Sequence, residues 1–286
     1  HHYPAAMTAI KSGKHVFLEK PICLTYAEAL KLKAAAARAK GQLFIRHNRR
    51  FEPAFQHIRE IMASGLLGQV YEIKLRRVGY QRRDDWQTLI KCGGGQLLNW
   101  GPHIIDHALR LLESPVQSIW GDLKTVAAAG DAEDHLKIIL IGKNGRTVDL
   151  EISGGAAVKE PEYIVLGATG GLTCSGNDIA LRYLDPNVKL PPRTPNPGTP
   201  GDGFGSPEKL PWIEKTIPVS PACKCDMGNT IWRELHGAIR KGTRFPITTD
   251  EAVAVMKVVS AVKKGTKYEG PIRAASSGTG SRARCP

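Results

Sequence analysis

Residues 14–45 read KHVFLEKPICLTYAEALKLKAAAARAKGQLFI, and this stretch decides the fold. Lys14 to Glu19 is a short run of β-branched, aromatic and aliphatic residues with a charged exit, the pattern of a buried strand. Thr25 and Glu28 stand in capping-box spacing, and Ala27 to Lys40, rich in Ala, Leu and Lys, predicts a helix ended by Gly41. Gln42 to Ile45 is the next strand. A strand, a crossover helix and a second strand at this spacing make half of a parallel, doubly wound sheet. In front of it, Pro4 to Ser12 predicts the end of a helix stopped at Gly13.

Beyond this unit the pattern changes. Residues 53–68 place Phe55, Ile58, Ile61, Met62 and Leu66 on one helical face, closed by Gly65 or Gly68. Val70 to Val78 then alternates as a half-buried strand. Ser118–Leu123, His135–Ile141, Thr147–Ile152, Tyr163–Leu166, Gly171–Ser175 and Ile179–Tyr183 are further short strands between turn residues, as in an antiparallel sheet. Residues 185–211, dense in Pro and Gly, predict an irregular loop. Two helices follow, Asn229–Lys241 ended by Gly242, and Thr249–Lys264 opened by the capping pair Thr248 and Glu251. The fold class is therefore α/β: the remnant of a doubly wound parallel sheet over residues 1–48, then an α+β domain with a large, mostly antiparallel open sheet over residues 49–268. Residues 269–286, rich in Ser, Gly and Arg, are expected to be a disordered tail.

Composition limits what such a chain does. Its 286 residues, 42% hydrophobic and 23% charged, suffice for a real core and exclude a disordered or collagen-like chain. No apolar run approaches the ~20 residues of a membrane span, and the first residues show no export-signal layout, so a soluble, cytoplasmic protein is expected. Of the net charge of +13, Lys40–Arg83 carries +7 and Lys263–Pro286 carries +5. A basic patch suits nucleic acid, a membrane surface or an anionic small molecule. None of the usual nucleic-acid modules is present, so neither nucleic acid nor membrane is expected as a partner. Six cysteines in a chain of this length do not make a disulfide scaffold. Cys223 and Cys225 lack the C-x-x-C spacing and second pair of a zinc site, so no metal is expected there.

Two segments bear chemistry. Glu19, Lys20 and Pro21 fall at the carboxyl end of the first strand, where open α/β sheets place ligands. Pro21 cannot continue the ladder and turns the chain, so Lys20 is either an ordinary exposed lysine or one projected into the crevice; the Lys20–Pro21 bond is a candidate for cis geometry. The second segment is GGGQLLNWGPHIIDH, residues 93–107. Asn99, His103 and either Asp106 or His107 share one face of a predicted helix, with Ile104, Ile105, Ala108, Leu111 and Leu112 on the other. A polar stripe on a core-packed helix needs either internal partners or a ligand.

Together AIKSGKHVFLEKP (9–21), RHNRRF (46–51) and GGGQLLNWGPHIID (93–106) make residues 1 to about 265 resemble the Gfo/Idh/MocA family of NAD(P)-dependent sugar and cyclitol dehydrogenases. The resemblance implies a Rossmann nucleotide domain followed by an open-sheet substrate and oligomerisation domain. It implies Lys20 and His103 as catalytic residues with Asn99 positioning, and Glu19, Lys20, Arg49 and Trp86 beside NAD or NADP. It further implies a small sugar or polyol substrate and a homo-oligomer. Two departures stand out. Many members carry Asp where this chain has Asn99, and an amide cannot stabilise an imidazolium by charge. The family's glycine-rich phosphate loop would precede His1, so the chain is expected to be a truncated form that binds NAD(P) poorly. Gly278–Ala283 has the loop's glycine spacing but neither the strand nor the helix it requires.

In the implied reaction His103, with an unperturbed pKa near ~6.5, takes the proton of a secondary alcohol, and Lys20 stabilises the developing alkoxide. Two other readings remain open at this point. His103 and His107 have the spacing of a helical zinc site, with Asp106 where an inverted zinc-peptidase motif has Glu. A non-catalytic scaffold that binds a sugar or assembles is the other.

Overall fold

The structure, a computed structural model, describes residues 1–199 and 208–269. The parallel unit has the expected order. Helix α1 (His2–Lys11) precedes β1 (Val16–Glu19), which pairs in parallel with β2 (Leu43–Arg46), Glu19 lying opposite Arg46. Between them runs α2 (Tyr26–Ala36), opened by the capping box of Thr25 and Glu28. It stops short of Lys40 because its last turn tightens: the amides of Arg38 and Ala39 bond to the carbonyls of Ala35 and Ala36, three residues back.

Helix α3 (Pro53–Ala63) likewise ends before residue 68, since Gly65 and Gly68 both take left-handed backbone and form a turn of their own. Strand β3 (Val70–Val78) enters an eight-stranded sheet with β4 (Val116–Lys124), β5 (His135–Gly142), β6 (Thr147–Ser153), β7 (Tyr163–Gly167), β8 (Gly170–Ser175), β9 (Asp178–Leu184) and β10 (Trp212–Pro218). The order is β10-β9-β8-β7-β3-β6-β5-β4, with β3 and β6 parallel and the other neighbours antiparallel. Strand β10 escapes the sequence pattern because Pro211 flanks it, Pro218 ends it, and Glu214 and Lys215 stand at its centre. Residues 185–199 and 208–211 are irregular, as predicted; the tail after residue 269 lies outside the described residues.

The segment predicted as one helix is two, α4 (Gln96–Asn99) and α5 (Gly101–Leu112). Pro102 has no N–H to give back along the ladder, which opens at Trp100, yet Trp100 keeps right-handed helical backbone and the direction holds. Helix α5 packs on β3, β5 and β6 through Ile104, Ile105, Ala108, Leu111 and Leu112, all buried. Each such side chain contributes roughly 1.5–3 kcal/mol by burial. After α6 (Asn229–Lys241), α7 (Thr249–Lys263) touches α2 and β2 on one side and α5 and β4 on the other, joining the two sheets. The far face of the large sheet is uncovered among the described residues and bears exposed Trp120, Ile141 and Trp212. No helix among the described residues is long and apolar enough to cross a membrane.

One ion cluster pins this junction. Arg50, buried in the turn after β2, gives Nε and Nη2 to the two oxygens of Asp106 at 2.9 and 2.5 Å. Its Nη1 donates to Glu251 Oε2 at 2.6 Å, and Glu251 also caps α7 and accepts from Arg110 at 2.6 Å. Burial alone would raise the Asp106 carboxyl, but the cationic charge of His47 and Arg50 holds it below the usual carboxylate range. Asp106→Asn breaks a buried pair and leaves the guanidinium under-compensated, a loss of about 3–5 kcal/mol expected from urea unfolding at neutral pH. Because the folded pKa is depressed, that stabilisation is present above the unfolded value of ~3.9 and disappears as pH falls through the folded one, so the difference between variant and parent closes in acid.

Candidate active site

The site is built where β1 ends. The Lys20–Pro21 peptide is cis, and the chain leaves the sheet at this point. Lys20 Nζ donates to the backbone carbonyl of Asn99 at 2.9 Å, a contact across 79 residues that ties the strand end to α4. Glu19 turns to its neighbour strand, accepting from Arg46, while its other oxygen accepts the Lys20 amide at 3.2 Å. Burial holds the Lys20 ammonium below its ordinary range; Glu19 opposes this, and Arg49 and Arg46 reinforce it.

His103 lies one helical turn beyond Asn99 and is only 7% exposed. Its Nδ1 is buried with no hydrogen-bond partner among the described residues. Desolvation, then the charges of Lys20, His47, Arg49 and His107, pushes the imidazole far below its free value. Burial and the surrounding positive charge thus favour the neutral imidazole and make it a weaker base than a free histidine.

Asn99 meets the others by its backbone. Its side-chain Nδ2 donates instead to Gln87 Oε1 at 2.9 Å, and the same oxygen accepts from Arg83 Nη2 at 2.6 Å. Arg49 comes close, its guanidinium carbon 4.2 Å from the centre of the Trp100 ring and its Nη1 3.1 Å from Glu52. Trp86 stands apart: it is 43% exposed on a short 3-10 turn (Trp86–Thr88) and makes no ring contact with Lys20, His103 or Arg49. Its neighbour Gln87 carries the contact to the site. His47, Gln87 and Trp100 were not singled out from sequence, although His47 and Trp100 fall inside the stretches that carry the resemblance.

The zinc reading fails on geometry. His107 stacks on Phe55 with ring centres 3.9 Å apart, its Nε2 lies 2.8 Å from the Arg49 carbonyl and its Nδ1 3.3 Å from the Tyr163 hydroxyl. Both nitrogens are engaged, and burial lowers the ring to about 4. Asp106 is held by Arg50. Among the described residues no group of three His, Cys, Asp or Glu is placed to hold a metal. Cys223 and Cys225 are joined in a disulfide before α6.

Two glycines let α4 reach its place. At Gly94 a Cβ would lie 2.4 Å from the Gln87 carbonyl oxygen, and at Gly95, whose φ is +103°, 2.2 Å from Glu133 Oε1. Glu133 is buried and that oxygen accepts the Leu97 amide at 3.1 Å, satisfying one orphan donor of α4. Gly95→Ala therefore combines backbone strain with a clash against a buried carboxylate. A loss of about 2 kcal/mol or more in chemical denaturation is expected, where an unstrained site would change by less than about 0.5.

Comparison with known proteins follows this division. Residues 1–47 match the model of an oxidoreductase family with an NAD-binding Rossmann fold, and residues 55–173 that of the GFO/IDH/MocA C-terminal domain. An uncharacterized oxidoreductase, YdgJ of Escherichia coli (strain K12), is 32% identical over 192 residues, 66% of this chain and 55% of the relative. The scyllo-inositol 2-dehydrogenase (NADP(+)) IolW of Bacillus subtilis (strain 168) is 25% identical over 271 residues, 93% of this chain and 74% of the relative. Among solved structures, an NAD-binding protein from Listeria innocua superposes with a TM-score of 0.74 at 22% identity, covering 93% of this chain and 76% of the other. GenD2 from gentamicin A biosynthesis, in complex with NAD, gives 0.65 at 24% identity, covering 91% and 72%. At these identities the structural likenesses speak for the fold alone.

Proposed function

Because the chain belongs to the Gfo/Idh/MocA family of NAD-binding oxidoreductases, we propose that it oxidises, or in reverse forms, the CH–OH group of a sugar, cyclitol or related polyol with NAD or NADP. The observation that carries this reading is the Lys20 ammonium held 2.9 Å from the Asn99 carbonyl, one helical turn before a buried, neutral His103. The polyol class is supported by the likeness to IolW.

The strand ends suit the cofactor. Glu19 and Lys20 present polar groups at the carboxyl edge of the parallel pair, the usual place for a nucleotide on such a sheet. Arg49 stands near Lys20, and Trp86 is assigned to the nicotinamide side only by family likeness. When bound, NAD(P)+ supplies the hydride acceptor. The residues of the chain manage the proton. With Nδ1 of His103 enclosed, Nε2 is the atom that meets the substrate hydroxyl and takes its proton. Lys20 has two N–H bonds beyond the one given to Asn99, and one of them stabilises the alkoxide oxygen, an effect of roughly 2.7–4 kcal/mol for a well-placed donor. Asn99 positions Lys20 through its carbonyl, so a neutral side chain at this place does not remove the contact. A cytoplasmic homo-oligomer, assembled through the open sheet face with its exposed Trp120, Ile141 and Trp212, completes the reading.

In the complete enzyme, Lys20→Met is expected to lower kcat by about 10²–10³ while NADH affinity, followed by nucleotide fluorescence, changes only a few-fold. Equal losses in both would contradict the catalytic role. Light scattering is expected to give a multiple of the 31.1 kDa chain mass; a single species at that mass would contradict the assembly.

A further inference from the structure

Gln87 holds α4 at both of its ends. Its backbone carbonyl accepts the Gly95 amide at 2.8 Å where the helix begins, and its side-chain Oε1 accepts Asn99 Nδ2 at 2.9 Å where the helix stops. The same Oε1 accepts from Arg83 Nη2 at 2.6 Å. Arg83 is held in turn by Asp85, with Nε 2.9 Å and Nη2 2.7 Å from Oδ2, and Asp85 Oδ1 accepts the Gln87 amide at 2.8 Å, closing the loop on itself. Chemistry fixes the polarity of this chain. A guanidinium has donors and no acceptor, so the Gln87 atom that faces Arg83 is the oxygen. The Asn99 atom that faces this oxygen is therefore the nitrogen, and Asn99 Oδ1 is turned away from it.

Building on the proposed dehydrogenase reading, we infer that Gln87 is a positioning residue, locked as an acceptor by Arg83, that selects an N–H donor at position 99 and through it holds Lys20 in place. Helix α4 is a single turn of four residues whose ladder opens at Trp100, so its last residue depends on anchors outside the helix. The Asn99 side chain supplies one by giving to Gln87, and its backbone carbonyl passes the constraint on to the Lys20 ammonium at 2.9 Å. The bond from a cation to Oε1 keeps Gln87 from turning its amide over. Lys20 meets the substrate oxygen, and a shift of about 1 Å in such a donor costs up to about 10² in rate. Arg83, Gln87 and Asn99 also share the wall of one cleft, so a direct contact between Gln87 and the ligand is the rival role. Two amide-to-acid changes, one at each end of the 2.9 Å bond, separate the two roles. Gln87→Glu keeps an oxygen for both donors. Asn99→Asp sets a carboxylate oxygen against Oε1 with no hydrogen between them.

The two changes are expected to have opposite outcomes. In the complete enzyme, with scyllo-inositol and NADP+ as probes, Gln87→Glu is expected to keep kcat within about three-fold of the parent, whereas Asn99→Asp and Gln87→Met lower it by about ten- to a hundred-fold with KM within about three-fold. The fixed amide is visible without any turnover. In ¹H–¹⁵N spectra of the full chain, the side-chain NH2 of Asn99 is expected to exchange slowly with solvent in the parent and in Gln87→Glu, and faster in Gln87→Met. If Gln87→Met does not fold, Gln87→Ala supplies the same comparison. The inference is overturned if Gln87→Glu and Gln87→Met act alike, if Asn99→Asp keeps the kcat of the parent, or if the Asn99 amide exchanges equally in parent and Gln87→Met. A chain that shows the expected exchange pattern yet no NAD(P)-dependent activity contradicts the proposed function and leaves the hold of Gln87 on Asn99 supported.

Discussion

The buried guanidinium of Arg50 is the constraint on which the arrangement rests. It leaves the parallel pair just past β2 and is bonded at once to α5 through Asp106 and to α7 through Glu251. A charge enclosed to this degree is tolerated only when its donors are matched, and here Nε, Nη1 and Nη2 all meet carboxylates, with a further bond from Nη1 to the Pro246 carbonyl. The consequence is geometric. The small sheet that carries Lys20 and the helix that carries His103 belong to distant parts of the chain, and this cluster fixes one against the other.

Within that frame burial and neighbouring cations draw both the His103 imidazole and the Lys20 ammonium below their ordinary ranges. Arg49 over the Trp100 ring contributes positive potential from a fixed direction. The carboxylates nearby, Asp106 and Glu251, are spent on structure, which separates the anions that stabilise the fold from the groups placed to meet the ligand.

Much of this was legible in the sequence, for identifiable reasons. The capping pairs Thr25–Glu28 and Thr248–Glu251 located two helix starts because a side chain that caps has few alternatives. Alternation in β3 and in the strands from β5 to β9 was clear because one face of each is buried. Strand β10 was not, since Pro211 and Pro218 bracket it and the charged Glu214 and Lys215 stand at its centre. The stripe Asn99–His103–Asp106 was found by helical spacing, but spacing cannot separate a ligand-facing residue from one satisfied internally. Asp106 proved to be the partner of Arg50, and His107 that of the Arg49 carbonyl and Tyr163.

The central claim is that the Lys20 ammonium and the His103 imidazole converge on one oxygen. A crystal structure of the protein with a nicotinamide cofactor and an unreactive polyol tests it most directly. The account predicts a single hydroxyl oxygen within about 3.2 Å of both Lys20 Nζ and His103 Nε2. A polyol bound with its hydroxyls on one of these groups only, or away from both, would contradict it.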